Sequence, residues 1–352
     1  MNKETEELKQ LLEDGSKDIN VKGEIAELKS SEQKQAEKEI QDWKDKKVEY
    51  KIIKQFKIPH ELLKCLLNAK DYEGLIFTGE GGIGKTILTL SSIKQSLKSD
   101  EWEYQNGYTT PLKLYEFFYQ NRNKKVIILD DVEGIFQNKI SLAILKGALW
   151  NTDGERICQY SSKSDKATMP EKFVMNAKVI VLCNHIPREN DSSTRAMMSR
   201  TIFYRMGFSF NEKMNICEDF IEDDKCLSKE QKIIIIDILT KRVTRATKDF
   251  NFRTLRKLIT FVNYNPRKAE ELFIATTEKD EDKEICIRAT QLYSMVKEQI
   301  NYFIEKTGKS RRTFFVIKKK ISAEVQLIRD VSITPNSKEK INERRLKNNG
   351  KN

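Results

Sequence analysis

The chain has 352 residues, of which 38% are hydrophobic, enough for one large domain or two to three modest ones with a real core. Its formal charge of +11 is uneven: residues 1–50 hold 14 acids and 10 lysines (−4), so the other 302 carry 54 bases against 39 acids (+15). No run of about 18 apolar residues and no charged start leading into an apolar stretch is present, which argues against a membrane or secreted protein and predicts a cytoplasmic one. The basic body points to a polyanion partner, the alternative being a lysine-rich protein from a lysine-biased proteome.

Residues 1–50 alternate thin apolar clusters (Leu8, Leu11, Leu12; Ile25, Leu28; Ile40, Trp43) with dense charge, interrupted by Gly15 and Gly23. That pattern is helical but buries little, so a solvated, partly disordered extension is expected, with a partner-binding arm as the alternative. Pro59 to Leu67 predicts a helix leading into a strand at Leu75–Thr78.

Gly79 to Thr86 then reads Gly-Glu-Gly-Gly-Ile-Gly-Lys-Thr, the G-x-x-x-x-G-K-S/T phosphate loop, followed by a helical pattern (Ile87, Leu88, Leu90, Ile93, Leu97). A strand before and a helix after make this a nucleoside triphosphate site rather than a glycine-rich turn. The cradle runs over Gly79, Glu80, Gly81, Gly82, Ile83, Gly84, Lys85, Thr86 and Ile87. Its glycines let the amides curl around an anion, Lys85 reaches the β- and γ-phosphates, Thr86 ligates Mg²⁺, and the helix presents its positive end. No Asn-Lys-x-Asp guanine signature follows, which disfavours GTP and leaves ATP with Mg²⁺ as the expected cofactors.

Further strands are expected at Val126–Leu129, Val179–Cys183 and Thr201–Tyr204, with helices between them. The first ends in Asp130-Asp131, acids delivered to the edge beside the phosphate loop: Asp130 for Mg²⁺, Asp131 to polarise the attacking water. A strand followed by an Asx turn is the plainer alternative. The second ends in Asn184, suited to hold the same water or to cap a turn. Ser199-Arg200 precedes the last strand, with Arg195 five residues earlier.

Residues 212 to about 275 look helical throughout, with Ile233–Ile236 ambiguous. Ile285 to Lys306 predicts one long amphipathic helix, Thr307-Gly308-Lys309-Ser310 a turn and N-cap, and Arg311 to Lys320 the start of another helix. Tyr302 to Phe315 thus reads as helix, glycine turn, and a helix opening Ser-Arg-Arg-Thr: either a helix-turn-helix DNA reader or any helical hairpin with a basic face. Tyr160 to Lys166, with Lys163 and Lys166, is a second nucleic-acid candidate or a plain surface loop. The six cysteines form no C-x-x-C pair and there are only two histidines, so reduced filler is expected and no zinc site.

In this order, Gly79–Thr86, Asp130-Asp131, Asn184, Ser199-Arg200 and Asn251-Phe252-Arg253-Thr254-Leu255 resemble the Walker A, Walker B, sensor 1, arginine finger and sensor 2 of an AAA+ ATPase of the replication branch. The resemblance covers about residues 51 to 275 and is closest in style to initiators, helicase loaders, clamp loaders and phage or plasmid replication ATPases. It implies an α/β P-loop fold with a parallel sheet core, a helical lid, and a C-terminal helical domain of winged-helix or helix-turn-helix kind. It also implies a ring or spiral in which Arg200 reaches a neighbour's ATP while Arg253 touches its own. Arg195 and Arg256 are the runners-up, and surface or lid salt bridges are the alternative for all four. DNA and a replication protein are the partners implied, with no membrane. The second acid is Asp131 where most of the superfamily has Glu, which allows a slow, switch-like ATPase. The organisation expected is 1–50 extension, 51–210 nucleotide domain, 211–280 lid, 281–332 DNA-binding helices and 333–352 basic tail.

Three functions follow: DNA replication or remodelling, protein remodelling, and a nucleotide-gated DNA-binding module with vestigial ATPase. The second requires an aromatic-hydrophobic channel loop between the first strand and Walker B, and the sequence shows no convincing one.

Overall fold

Runs that are apolar at every position need cover on both faces, and a parallel sheet between helix layers provides it. The computed structural model describes residues 19–46, 52–69, 72–151, 154–161, 169–187 and 189–331, with side chains described from residue 32 to 322 of these. Its main sheet contains β1 (Gly74–Thr78), β2 (Trp102–Asn106), β3 (Val126–Asp130), β6 (Lys178–Cys183) and β7 (Ile202–Arg205), all parallel, in the order β2-β3-β6-β1-β7. A separate hairpin pairs β4 (Ile157–Gln159) with β5 (Lys172–Val174). Every residue of β1 and β3 is buried.

Alternate side chains serve two cores. Ile76, Ile127, Leu129, Val179 and Val181 face α4 (Pro111–Asn121) and α6 (Lys139–Leu149) through Leu114, Phe118, Leu145 and Ala148. Leu75, Phe77, Ile128, Ile180 and Leu182 face α2 (Lys57–Asn68) and α3 (Lys85–Ser96) through Leu63, Leu66, Leu88 and Ile93. The register pairs Thr78 with Cys183 and Asp130 with Leu182. The C-terminal ends of β1, β3 and β6 are therefore level, and their loops share one edge.

The four apolar strands occur where expected, within one residue at each end. β2 was not foreseen, because as an edge strand it buries only Trp102 fully and is otherwise polar. Where the lid is expected, residues 210–276 form four helices: α8 (Phe210–Asp223), α9 (Lys229–Arg242), α10 (Phe252–Tyr264) and α11 (Ala269–Thr276). Ile233–Ile236 lies within α9, where Ile235 is buried and Ile233 exposed.

The single helix expected over Ile285–Lys306 is instead two, α12 (Glu281–Leu292) and α13 (Val296–Thr307). Folding back lets Cys286 and Ala289 meet Ile300, Phe303 and Phe314, a cluster that one straight helix would leave exposed. The Gln299 side-chain amide donates to Tyr293 O at the corner (2.7 Å). Gly308, at φ 67, ends α13, and Ser310 caps α14 (Arg311–Val331) by accepting from Thr313 N. The tail after 331 lies outside the described residues.

The N-terminal extension makes one docking contact that the sequence did not suggest. α1 (Ile19–Asp45) is anchored by its C-terminal turn: Lys44 is buried, bonding Trp102 O and the Glu103 carboxylate, and the Trp43 ring meets those of Trp102 and Tyr104. One aromatic and one buried ion pair dock a helix whose described side chains are otherwise exposed. Among the described residues, no helix is long and apolar enough to cross a membrane. All six cysteines are free, and burial pushes the Cys183 and Cys158 thiols up to about 12, as suits inert filler.

Candidate nucleotide site

The loop 79–84 turns on glycines whose conformations other residues resist. Gly82 has φ 76, and a Cβ there would lie 2.8 Å from the Asn251 side chain. Gly81 is the point of closest convergence: a methyl on it would sit 3.6 Å from Asn184 Oδ1 and 3.8 Å from an Arg253 guanidinium nitrogen. The residues read as sensors 1 and 2 thus meet at the same stretch of loop. The lid is fastened here by Phe252 N donating to Gly82 O (3.1 Å), while Lys213 of α8 pairs with Glu80.

Lys85 opens α3 and is only 6% exposed. Its ammonium donates to Gly79 O (2.7 Å), Glu80 O (2.8 Å) and Asn184 Oδ1 (3.0 Å). Burial pushes its pKa below the ordinary lysine value, an effect opposed by the carboxylates of Asp131, Asp130 and Glu133. Ile83 is buried, so it offers the loop its backbone, while the Ile87 side chain is exposed.

Asp130, 3% exposed at the end of β3, accepts at one oxygen from Thr86 Oγ1 (2.7 Å) and the Tyr104 hydroxyl (2.9 Å). A hydroxyl beside a carboxylate is a hard-oxygen donor pair that fits Mg²⁺, which takes one or two protein oxygens plus phosphate and water. Among the described residues no group of three or more His, Cys, Asp and Glu is gathered as for a metal, so the protein's share would be Thr86 and Asp130. Asp131 is exposed and held at φ 52, with its amide bonded to Leu182 O (3.1 Å).

Burial raises the Asp130 pKa, outweighing the two hydroxyls that lower it. A native carboxyl that holds its proton more tightly than the unfolded one contributes stability below the unfolded pKa and loses it as pH rises through the native value. At pH 7 the charged form is therefore a burden. Asp130→Asn keeps an acceptor for Thr86 and Tyr104 and removes the charge. Its melting temperature at pH 7 should rise above that of the wild type. Calorimetry showing an unchanged or lower melting point would count against this reading of the carboxylate.

Arg200 follows α7 (Ser192–Met198), with its guanidinium 3.4 Å from the centroid of the Trp150 ring and Nη1 donating to Ala196 O (2.7 Å). Its Nε is buried and finds no acceptor among the described residues. Arg195 is exposed and bonded to Asn190 (3.1 Å). Neither is brought to this chain's own loop, whereas Arg253 is. Arg256, the second lid candidate, is exposed on α10.

Two residues of the site escaped sequence reasoning. Tyr104 lies on the unforeseen β2, and its aromatic position beside polar neighbours was the available signal. Glu133, first residue of α5 (Glu133–Gln137), accepts from Asn184 N (2.7 Å). In the interval where the sequence shows no convincing aromatic-hydrophobic channel loop, the structure leaves one aromatic ring well exposed. Tyr108 is 83% exposed on the turn after β2, beside a groove of about 450 Å³ that includes Lys113 and Phe117. The signal in the sequence is Gly107 followed by the Thr110-Pro111 helix start, and the structure places that glycine at φ 83. The Lys163 and Lys166 loop lies outside the described residues.

A five-stranded parallel sheet in this order, with the phosphate loop after β1, the amide after the adjacent strand β6 and the acid at the end of β3 one strand further on, has the architecture of an AAA+ P-loop protein. No protein-family model matches the chain. It is 25% identical over 240 residues, 63% of its own length and 73% of the relative's, to an uncharacterized 36.7 kDa protein from the nrdC–mobD intergenic region of Enterobacteria phage T4. Among solved structures it is similar to AMPPCP-bound DnaA from Aquifex aeolicus (14% identity, TM-score 0.45, 82% of this chain and 91% of that one). It is also similar to a RuvB mutant from Thermotoga maritima (12%, TM-score 0.40, 73% and 81%).

Proposed function

We propose that this chain binds and hydrolyses ATP and acts in DNA replication or DNA remodelling, as a ring-forming helicase, a helicase loader or a similar device. The observation that carries the ATPase is the pairing of Thr86 with Asp130 on one side of the loop and of Lys85 with Asn184 on the other. In this reading the glycine cradle and Lys85 hold the phosphates, Thr86 and Asp130 hold Mg²⁺, Asp131 polarises water, and Arg253 senses nucleotide from the lid. Mg²⁺, held by Thr86 and Asp130, would supply neutralisation of the phosphate charge. No covalent intermediate is needed, because positioning and charge stabilisation suffice. Turnover measured with and without DNA tests the reading, and absence of both nucleotide binding and hydrolysis would defeat it.

The DNA assignment rests on α13, the Gly308 turn and α14, whose first residues Arg311 and Arg312 are exposed. Removing one charge that pairs with a phosphate should flatten the log–log salt dependence of duplex binding by about 0.9. Arg311→Ala with Arg312→Ala should therefore weaken duplex binding and reduce the slope by nearly 2 units, leaving DNA-independent ATP turnover intact. Unchanged affinity and slope in a salt titration would remove α14 from the DNA surface.

Exposed Tyr108 favours a second reading, protein remodelling, which needs an aromatic on that loop. Stimulation of turnover by unfolded polypeptide rather than by DNA would select it.

A further inference from the structure

Asn184 is the junction of the site. Its carbonyl accepts from Gly79 N (3.2 Å), its Oδ1 accepts from Lys85 Nζ (3.0 Å), and its own N–H donates to Glu133 Oε1 (2.7 Å). Two of these bonds reach the phosphate loop, and the third reaches α5, just past the acids of β3. An N–H given to a carboxylate is a charge-assisted bond, short and directional.

The backbone explains why Glu133 and not a neighbour makes it. Asp131, at φ 52 with its amide on Leu182 O, reverses the chain abruptly after β3. Val132 is then buried, and Glu133 begins α5 pointing back toward the end of β6. Glu133 itself is only partly exposed, and its charge acts on Lys85 as well.

We propose that Glu133 is a positioning residue: it fixes Asn184 by its amide so that the Asn184 side chain and the Lys85 ammonium are held in register at the γ-phosphate end of the loop. This rests on the ATPase reading above. It assigns Glu133 no proton transfer, which distinguishes it from Asp131.

Four proteins test the proposal: Glu133→Ala, Glu133→Gln, Asn184→Ala and Glu133→Ala/Asn184→Ala, assayed for steady-state ATP turnover and for hydrogen exchange at the Asn184 amide. Glu133→Ala should lower kcat by about 10- to 100-fold with KM for ATP changed by less than about 3-fold, the range found when the support of a reacting group is removed. Glu133→Gln retains an acceptor oxygen and should keep at least about a third of kcat. The double variant should be no slower than Asn184→Ala, because with the amide side chain gone there is nothing left to position. The Asn184 amide should exchange at least about tenfold faster in Glu133→Ala than in wild type or Glu133→Gln. Wild-type kcat in Glu133→Ala, multiplicative losses in the double variant, or Glu133→Gln as slow as Glu133→Ala would each overturn the proposal, the last by making Glu133 a proton acceptor. If the wild-type protein hydrolyses no ATP, the functional reading fails on its own. The exchange measurement then decides the Glu133–Asn184 link, with equal rates in all proteins overturning it.

Discussion

Lys85→Ala is expected to reduce ATP turnover by at least about 10²-fold, the scale set by removing one preorganised donor from a developing charge. The ammonium is already desolvated and held by three acceptors, two of them carbonyls of the loop itself. It has therefore paid its ordering cost before nucleotide arrives. Its loss should weaken binding as well as chemistry, because the lysine meets phosphates in the ground state and in the transition state alike. Asp131→Asn should behave differently, keeping affinity while blocking hydrolysis. Asn tolerates the left-handed backbone at this position as well as Asp does, so the substitution removes charge without adding strain. Fluorescent-nucleotide titration beside a phosphate-release assay separates the two. Wild-type turnover in Asp131→Asn would take Asp131 out of the mechanism, and wild-type binding and turnover in Lys85→Ala would dismiss the loop as an ATP site.

What was legible from sequence follows the range of the physics involved. The phosphate loop and the four apolar strands are local patterns, each announced by a few adjacent residues. The convergence of Asn184 and Arg253 on Gly81 depends on how β6 and α10 dock against the loop, so residue types hinted at it without establishing it. The Glu133–Asn184 bond was invisible because its partners are 51 positions apart and meet only through the β3–β6 register. Tyr104 was missed for a related reason. An edge strand buries too little to show a strong pattern, yet its one aromatic hydroxyl reaches the buried carboxylate of Asp130. The break between α12 and α13 reflects burial: the periodicity continues through Tyr293–Met295, and only the three-helix cluster around Phe303 selects the turn.

Arg200→Ala and Lys85→Ala, each nearly inactive alone, are expected to recover turnover when mixed. Arg200 lies away from its own loop, stacked on Trp150, and its buried Nε finds no acceptor among the described residues. A guanidinium held on an aromatic face is ordered but not tied by an ion pair, and such a fork suits an anion supplied by another molecule. An arginine delivered to a phosphoryl group in trans contributes about 10³ to 10⁵ in rate, so its removal should be nearly as damaging as loss of the lysine. In a ring of head-to-tail interfaces mixed at random in equal amounts, about a quarter of the interfaces join an intact pocket from the Arg200→Ala subunit to an intact arginine from the Lys85→Ala subunit. Recovery of roughly a quarter of wild-type turnover is therefore the expected yield. Arg195→Ala, at the exposed runner-up position, should lose little if Arg200 is the residue that crosses. Native mass spectrometry confirming mixed oligomers without any recovered hydrolysis would make Arg200 a structural residue or one acting within its own subunit. A large loss in Arg195→Ala with recovery on mixing would move the role to Arg195.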